Sequence, residues 1–370
     1  MLTKKNTLRF GVIAAAAAAA LAFGSAAPAF ADPSGFKTLA GVGSDTTENL
    51  VNGLGTVVTT IGSYDATGSA NIQTRSGGVS FARPNGSGNG QKALSASINP
   101  GGTHTWPAAG GVDITGQIDF ARSSSAPSAS LPGTDLTFIP FARDAVSYAV
   151  SAASDFPRDV ALGSSTQDTI SPAPFTLRNI YRGTVTTYVD ADFSSVTIRP
   201  LLPQAGSGTR SFWISKLGLT EAQISSGGVA TDLGGTVQEH NGTFVTQPGD
   251  LVPFSVAQFI QQGNHAALPT LVDERRGNIV LGNIGSAKPY IPSTGGGIEL
   301  NPAFPVNRLV YNVVSTPRLT GTSAADLALQ AAFKGSSSSV CSASATIKQY
   351  GFGTIGSTCG STTATQAFTF

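Results

Sequence analysis

The sequence is poor in charged residues. They make up 12% of the 370-residue chain, with 22 basic and 21 acidic side chains, which is half of the ~25% usual in soluble domains. Three of the basic residues lie among the first 31, so the remainder carries 19 basic and 21 acidic residues. This near balance gives no general electrostatic reason for binding nucleic acid or an anionic lipid surface. Gly, Ser and Thr take the place of the missing charge.

Cysteine and histidine are scarcer still. In an exported chain we expect Cys341 and Cys359 to form a disulfide that closes a short loop. Two free thiols are the alternative, and a metal site would lack nearby histidines.

The three histidines, at positions 104, 240 and 265, form no HExxH pair. G-x-S-x-G and G-x-x-x-x-G-K-[ST] are also absent, so the signatures of zinc proteases, α/β-hydrolases and P-loop proteins are missing. We therefore expect no metal, no cofactor and no enzyme.

The first 31 residues have the pattern of a signal peptide. Lys4, Lys5 and Arg9 precede the apolar stretch Gly11 to Gly24, and Ala29-Phe30-Ala31 is a small-x-small cleavage site. The apolar stretch has 14 residues, fewer than the ~20 needed to span a bilayer. No cysteine at the cleavage site offers a lipid attachment point. We expect a secreted, extracellular protein without a lipid anchor.

Beyond the signal peptide, apolar strand-like runs alternate with helical patterns, which predicts an α/β fold. The run Leu136 to Ala153 is strongly apolar with a polar centre at Arg143-Asp144. We interpret it as one strand leaving a first domain and another entering a second. Further elements are predicted as helices at Phe175 to Gly183, Val256 to Asn264 and Ala324 to Phe333, and as a strand at Val306 to Val314.

The segment AGSGTR, Ala205 to Arg210, is the most informative motif. Ser207 suits the N-cap of a helix, Gly208 allows the backbone to approach a ligand, and Thr209 adds a hydroxyl and an N–H group. Unpaired N–H groups and the helix dipole favour an anion at such a place. Arg210 follows directly and adds positive charge. The alternative is an ordinary N-cap.

Three further segments are also rich in Gly, Ser or Thr, and each lies before a predicted helix or after a predicted strand. GSDTTENL contains Asp45 and Thr46, and RPNGSGNG contains Ser87. In IDFARSSSAPS, Arg122 can grip an oxyanion with two N–H groups beside Ser124. Asp45 is either a helix cap or an acceptor for the proton of a hydrogen-bearing oxyanion such as hydrogen phosphate, which sulfate lacks at neutral pH. Their recurrence in one chain predicts capture of a small oxyanion.

In this order, GSDTT, RPNGSGNG, IDFARSSSAPS and GSGTRSFW resemble the phosphate-binding proteins of bacterial ABC phosphate importers, most closely the actinobacterial ones. FTLRNIYRGTVTTY and PFSVAQFIQQ extend the resemblance over most of the chain. It implies a two-lobed periplasmic-binding-protein type II fold with the ligand in the cleft. Carried over onto this chain, the family's Ser-Gly-Thr triplet falls on Ser207, Gly208 and Thr209, and its second-loop Ser on Ser87.

The chain departs from the family pattern at three places. The first-loop pair, usually Thr-Phe, falls on Asp45 and Thr46. The family's acidic residue near Ser124 is absent, and the Arg four residues before the triplet is Pro203. We expect Asp45 and either Arg122 or Arg210 to substitute for the missing acid and cation.

Together the residues and the resemblance predict a secreted, monomeric phosphate-binding protein that serves an ABC transporter permease. Two alternatives stay open, a secreted phosphate-ester hydrolase and an extracellular structural or adhesive protein that has lost ligand binding. The predicted organisation is a signal peptide over residues 1–31, a discontinuous lobe I over 36–144 and 256–370, and lobe II over 145–255.

Overall fold

The structure, a computed structural model, describes residues 32–370, so the predicted signal peptide lies outside the described residues. The strands are β1 (Leu39–Gly43), β2 (Ile61–Ser63), β3 (Asn71–Ile72), β4 (Phe81–Ala82), β5 (Phe120–Ser123), β6 (Leu136–Ser151), β7 (Thr187–Val189), β8 (Ser195–Thr197), β9 (Arg199–Pro200), β10 (Asp250–Ser255), β11 (Ile279–Leu281), β12 (Tyr290–Pro292), β13 (Ile298–Leu300), β14 (Asn307–Ser315) and β15 (Thr365–Gln366). The helices are α1 (Glu48–Val57), α2 (Ser87–Ile98), α3 (Leu177–Tyr181), α4 (Gly208–Lys216), α5 (Glu221–Gly227), α6 (Val256–Gly263), α7 (Ala324–Phe333), α8 (Ser339–Ser342) and α9 (Ser344–Gln349).

The fold is α/β around a mixed central sheet in the order β2-β1-β5-β14-β6-β10-β9, with β11 and β15 also paired to β6. β1 runs parallel to β2 and β5, whereas β14 is antiparallel to β5 and β6. The carboxyl ends of β1 and β5 therefore meet at one edge, where ligands bind in open α/β sheets.

Strand β6 joins the two halves of the molecule. Its first part pairs with β14 and its last part with β10 and β11. The sequence pattern predicted two strands here, divided by Arg143-Asp144; the structure has one continuous strand of 16 residues. The strand continues because the buried Asp144 pairs with Arg308, its register partner on β14, and a buried charge needs such a partner.

Hydrophobic side chains form one core under β10 and α3–α5 and two more on the faces of the β1/β5/β14 half. The segment from β11 to Val306 packs into the first of these cores, together with the 145–255 region. The sequence placed this segment with lobe I. In the structure β11 pairs with the end of β6, Ile279 opposite Ser151, and the segment shares its core with the 145–255 region.

The remaining predicted elements are present. Thr176 caps α3 by accepting from the Asn179 N–H at 3.2 Å, and Gly183 follows it at a φ of 78°. Cys341 and Cys359 are joined in the expected disulfide. Across residues 32–370, none of the helices combines the length and apolarity required to cross a membrane.

Candidate oxyanion site

The loop after β1 carries two of the predicted site residues into the cleft between the lobes. Asp45 and Thr46 are fully buried, and Gln258 of α6 donates to both of their carbonyl oxygens, at 3.0 and 2.9 Å. Helix α1 has Thr47, not Asp45, at its N-cap. The Asp45 carboxyl accepts from the Thr46 N–H through Oδ1, at 3.1 Å, while Oδ2 has no hydrogen-bond partner. A capping role for Asp45 is therefore not what the structure shows.

Ser87 and Ser124 meet on the lobe I side of the cleft. Ser87 opens α2, and its Oγ accepts from the Ser124 N–H at 2.9 Å and lies 3.2 Å from the Ser124 Oγ. Ser124 directly follows β5. The two hydroxyls belong to separate loops and converge because β1 and β5 are neighbours in the sheet, with α2 packed against both.

The Ser207-Gly208-Thr209 motif faces them from lobe II. Ser207 is the N-cap of α4 and accepts from the N–H groups of Thr209 and Arg210, each at 3.1 Å. Gly208 is in close contact with lobe I, since a Cβ added to it would lie 2.5 Å from the Oγ atoms of both Ser87 and Ser124. The closed cleft thus requires glycine at this position.

Three hydroxyl groups converge on the carboxylate of Glu239, which the sequence did not predict. We call the hydroxyls of Thr46, Ser207 and Thr209 the hydroxyl cluster. Thr46 and Thr209 donate to Oε1 at 2.8 and 2.9 Å, and Ser207 donates to Oε2 at 2.9 Å. Glu239 is fully buried. Residues of both lobes therefore hold an oxygen-bearing anionic group at one point.

Arg308 supplies the cation, and the sequence did not predict it either. Its Nη2 donates to Thr209 Oγ1 at 2.7 Å and to Thr46 Oγ1 at 3.3 Å, and also to Asp144 at 2.9 Å. The guanidinium lies over the Phe212 ring at 5.2 Å. Its Nη1 is buried without a partner. A lone Arg in the apolar run of β14 was the available signal, because a charge in a buried strand must be paired.

The two arginines that the sequence nominated are engaged elsewhere. Arg122 is fully buried, and its guanidinium donates to Ser63 Oγ at 2.8 Å and to the carbonyl of Ser44 at 3.0 Å. It therefore stabilises the end of β1. Arg210 turns outward and pairs with Glu221 at 2.8 Å.

Burial disfavours the ionised form of the carboxyl groups in the cleft and so raises their pKa values. It raises the pKa of Glu239 to about 7, helped by the adjacent Asp45 carboxyl, and it raises the pKa of Asp45 despite hydrogen bonds that lower it. Burial likewise raises the pKa of Glu48 to about 7 and lowers the pKa of His240. The His240 Nδ1 lies 3.4 Å from Asp45 Oδ2. Further negative charge in the cleft would therefore be unfavourable while these carboxyls are ionised.

These groups can satisfy a ligand that needs both donors and an acceptor. The hydroxyl cluster and Arg308 offer donors to ligand oxygens, and Asp45 Oδ2 can accept a ligand proton. No group of three or more His, Cys, Asp or Glu residues suited to a metal ion is found from residue 32 onward. The cleft therefore offers several hydrogen-bond donors and one acceptor without a hydrogen-bond partner.

Comparison with known proteins agrees with this fold. A family model described as a PBP superfamily domain matches residues 29–286, whereas no curated protein matches the chain. A protein from Clostridium perfringens, described as a phosphate ABC transporter substrate-binding protein with bound phosphate, is similar in structure with a TM-score of 0.50 at 11% identity, covering 86% of this chain and 99% of its own. An ABC-type phosphate transport receptor from Vibrio cholerae gives 0.49 at 15%, covering 86% and 100%. The chain belongs to the PBP superfamily.

Proposed function

We propose that this chain is an exported solute-binding protein that captures inorganic phosphate, or a closely similar oxyanion, for uptake by an ABC importer. The observation that carries the proposal is the coordination of Glu239. Three hydroxyls from both lobes hold its two carboxylate oxygens at 2.8–2.9 Å, as they would hold two oxygens of a phosphate. This coordination of a carboxylate supports the proposal that the cleft binds an oxyanion.

The electrostatic arrangement favours phosphate over sulfate. A carboxylate facing an anion is repulsive unless a proton lies between them, and hydrogen phosphate carries that proton. Asp45 Oδ2 is buried without a hydrogen-bond partner, and so is Nη1 of Arg308. The positive charge of Arg308 acts on the Asp45 carboxyl. One ligand that both accepts from Arg308 and donates to Asp45 satisfies both groups.

The proposed transport role is supported by the superfamily and by the predicted signal peptide. Proteins of this shape close two lobes around a solute, and the relative from Clostridium perfringens was solved with phosphate. We propose that the mature chain acts outside the cytoplasmic membrane as a monomer and delivers its ligand to a permease.

Calorimetric titration of the mature protein tests the proposal. We expect phosphate and arsenate to bind at about 1:1 and sulfate to bind more weakly. Phosphate should also raise the melting temperature, because a ligand of the folded state stabilises it by mass action. A flat titration and an unchanged melting temperature at millimolar phosphate would exclude the proposed function.

Asp45→Asn tests the basis of selectivity. The amide can donate to either anion, so we expect weaker phosphate binding and a smaller advantage of phosphate over sulfate. Parallel titrations of the wild type and the variant with both anions measure the ratio. If that ratio stays the same, Asp45 does not contact the ligand and the discrimination has another source.

A further inference from the structure

The three protons of the hydroxyl cluster are already committed in this structure. Each hydroxyl has a single proton to donate, and Thr46, Ser207 and Thr209 direct theirs at Glu239. Ser207 Oγ is also occupied as an acceptor by the N–H groups of α4. An oxyanion that uses these donors must take them from the Glu239 carboxylate.

Charge makes the two occupants mutually exclusive. Asp45 and Asp144 are buried close to the same guanidinium of Arg308, and Asp144 is paired with it at 2.9 Å. An ionised Glu239 adds a further negative charge to this group. A phosphate placed beside the ionised Glu239 would bring together more negative charge than a single Arg308 balances.

The backbone keeps Glu239 at this point. Its carbonyl accepts from the Ser255 N–H at 3.1 Å, and the carbonyl of the nearby Val237 accepts from the Gln204 N–H at 3.0 Å. Val237 is itself fully buried. A group tethered this way has a high effective concentration at its binding point and competes with a free ligand of the same chemistry.

We propose that the Glu239 carboxylate is a built-in ligand of the oxyanion site, which phosphate must displace, and that it lowers the affinity of the protein for phosphate. This inference rests on the proposed function. The apparent affinity for phosphate is proportional to the fraction of molecules whose site is free, so it falls when Glu239 occupies the site. The hydroxyl cluster is thereby satisfied in the absence of a solute, with Glu239 bridging Thr46 of lobe I to Ser207 and Thr209 of lobe II.

Glu239→Gln and Glu239→Ala test the inference by calorimetry at pH 8, where the Glu239 carboxyl, with its pKa of about 7, is mostly ionised. If Glu239 holds the site for more than ~90% of the time, freeing it tightens phosphate binding by about tenfold or more. We expect the larger gain in the Ala variant, which frees all three hydroxyls. Sulfate binding should tighten as well, since the gain does not depend on a ligand proton. The Gln variant keeps the shape of the side chain if the Ala variant folds poorly.

Glu221→Gln is the matched control. Glu221 is an exposed carboxyl of the same lobe that pairs with Arg210 outside the cleft, and we expect its loss to leave phosphate affinity unchanged. Weaker phosphate binding by both Glu239 variants, with a wild type that binds, would overturn the inference and leave the proposed function intact. If neither the wild type nor either variant binds phosphate, the proposed function itself fails.

Discussion

Gly208→Val is expected to reduce phosphate affinity by at least ~100-fold, about 2.7 kcal/mol, while the protein still folds. The added Cβ would lie 2.5 Å from the hydroxyl oxygens of Ser87 and Ser124, and the remaining methyl groups need more space. The two lobes would then be held apart at the point where their loops meet. The cost falls on closure of the cleft, because Gly208 is buried where α4 meets Ser87 and Ser124 and is not part of the hydrophobic cores. Calorimetric titration measures the affinity and thermal melting measures the fold.

Gly88→Ala is the matched control on the opposite lobe. Gly88 faces Gly206 across the cleft, and its added Cβ would meet the Gly206 carbonyl oxygen at 3.4 Å, an ordinary contact. We expect a change of less than ~1 kcal/mol in binding. A Gly208→Val protein that binds phosphate as tightly as the wild type would show that Ser207-Gly208-Thr209 is only a helix cap.

The parts of the site that rest on local structure could be predicted from the sequence. An N-cap serine, the glycine after it and the hydroxyl of the next residue lie within one turn of a helix, so Ser207, Gly208 and Thr209 were recognisable together. The sequence did not predict that β1 and β5 are neighbours; their parallel pairing brings the loops that follow them to the same edge of the sheet.

Arg308 and Glu239 could not be predicted in this way, because only the tertiary fold brings them to the cleft. Arg308 reaches Thr46 through the pairing of β14 with β6, across 262 residues of sequence. Glu239 lies in a loop with no motif. Arg122 was nominated because it adjoins three serines, but an arginine side chain is long enough to turn away from its neighbours. Its guanidinium binds carbonyl oxygens at the end of β1 instead.

The cleft has an unusual balance of charge for an anion site. Arg308 is the cation in contact with the hydroxyl cluster, while Asp45, Asp144 and Glu239 are carboxyls buried around it. Raised pKa values relieve part of this excess by favouring protonation of Asp45 and Glu239. An oxyanion can enter only if a carboxyl gives up its charge or its position. Because Arg308 is the cation that contacts the hydroxyl cluster, its loss should weaken phosphate binding directly.

Arg308→Ala is expected to lower phosphate affinity by roughly 30-fold to several-thousand-fold, since removing one partner from a desolvated ion site costs ~2–5 kcal/mol. It also leaves Asp144 buried without its partner, which destabilises the fold. Arg308→Lys keeps a positive charge for Asp144, but one ammonium group cannot reproduce the fork that reaches Asp144 and the hydroxyl cluster together. We expect a smaller loss of affinity in the Lys variant, with a melting temperature closer to that of the wild type.

Arg210→Ala provides the comparison, because it removes an arginine whose partners, Glu221 and Asp232, lie outside the cleft. Its affinity for phosphate should stay close to that of the wild type, since the lost side-chain ion pairs do not touch the hydroxyl cluster and such partly exposed pairs contribute only ~0–1 kcal/mol to the fold. Normal binding by both Arg308 variants would contradict the assignment. The ligand would then have to be held by backbone N–H groups and hydroxyls alone, with Arg308 serving only to neutralise Asp144 within β6. Weakened binding by the Lys variant at an unchanged melting temperature would instead separate the two roles of Arg308. Its ion pair with Asp144 would then support the fold, and its remaining N–H groups would support the ligand.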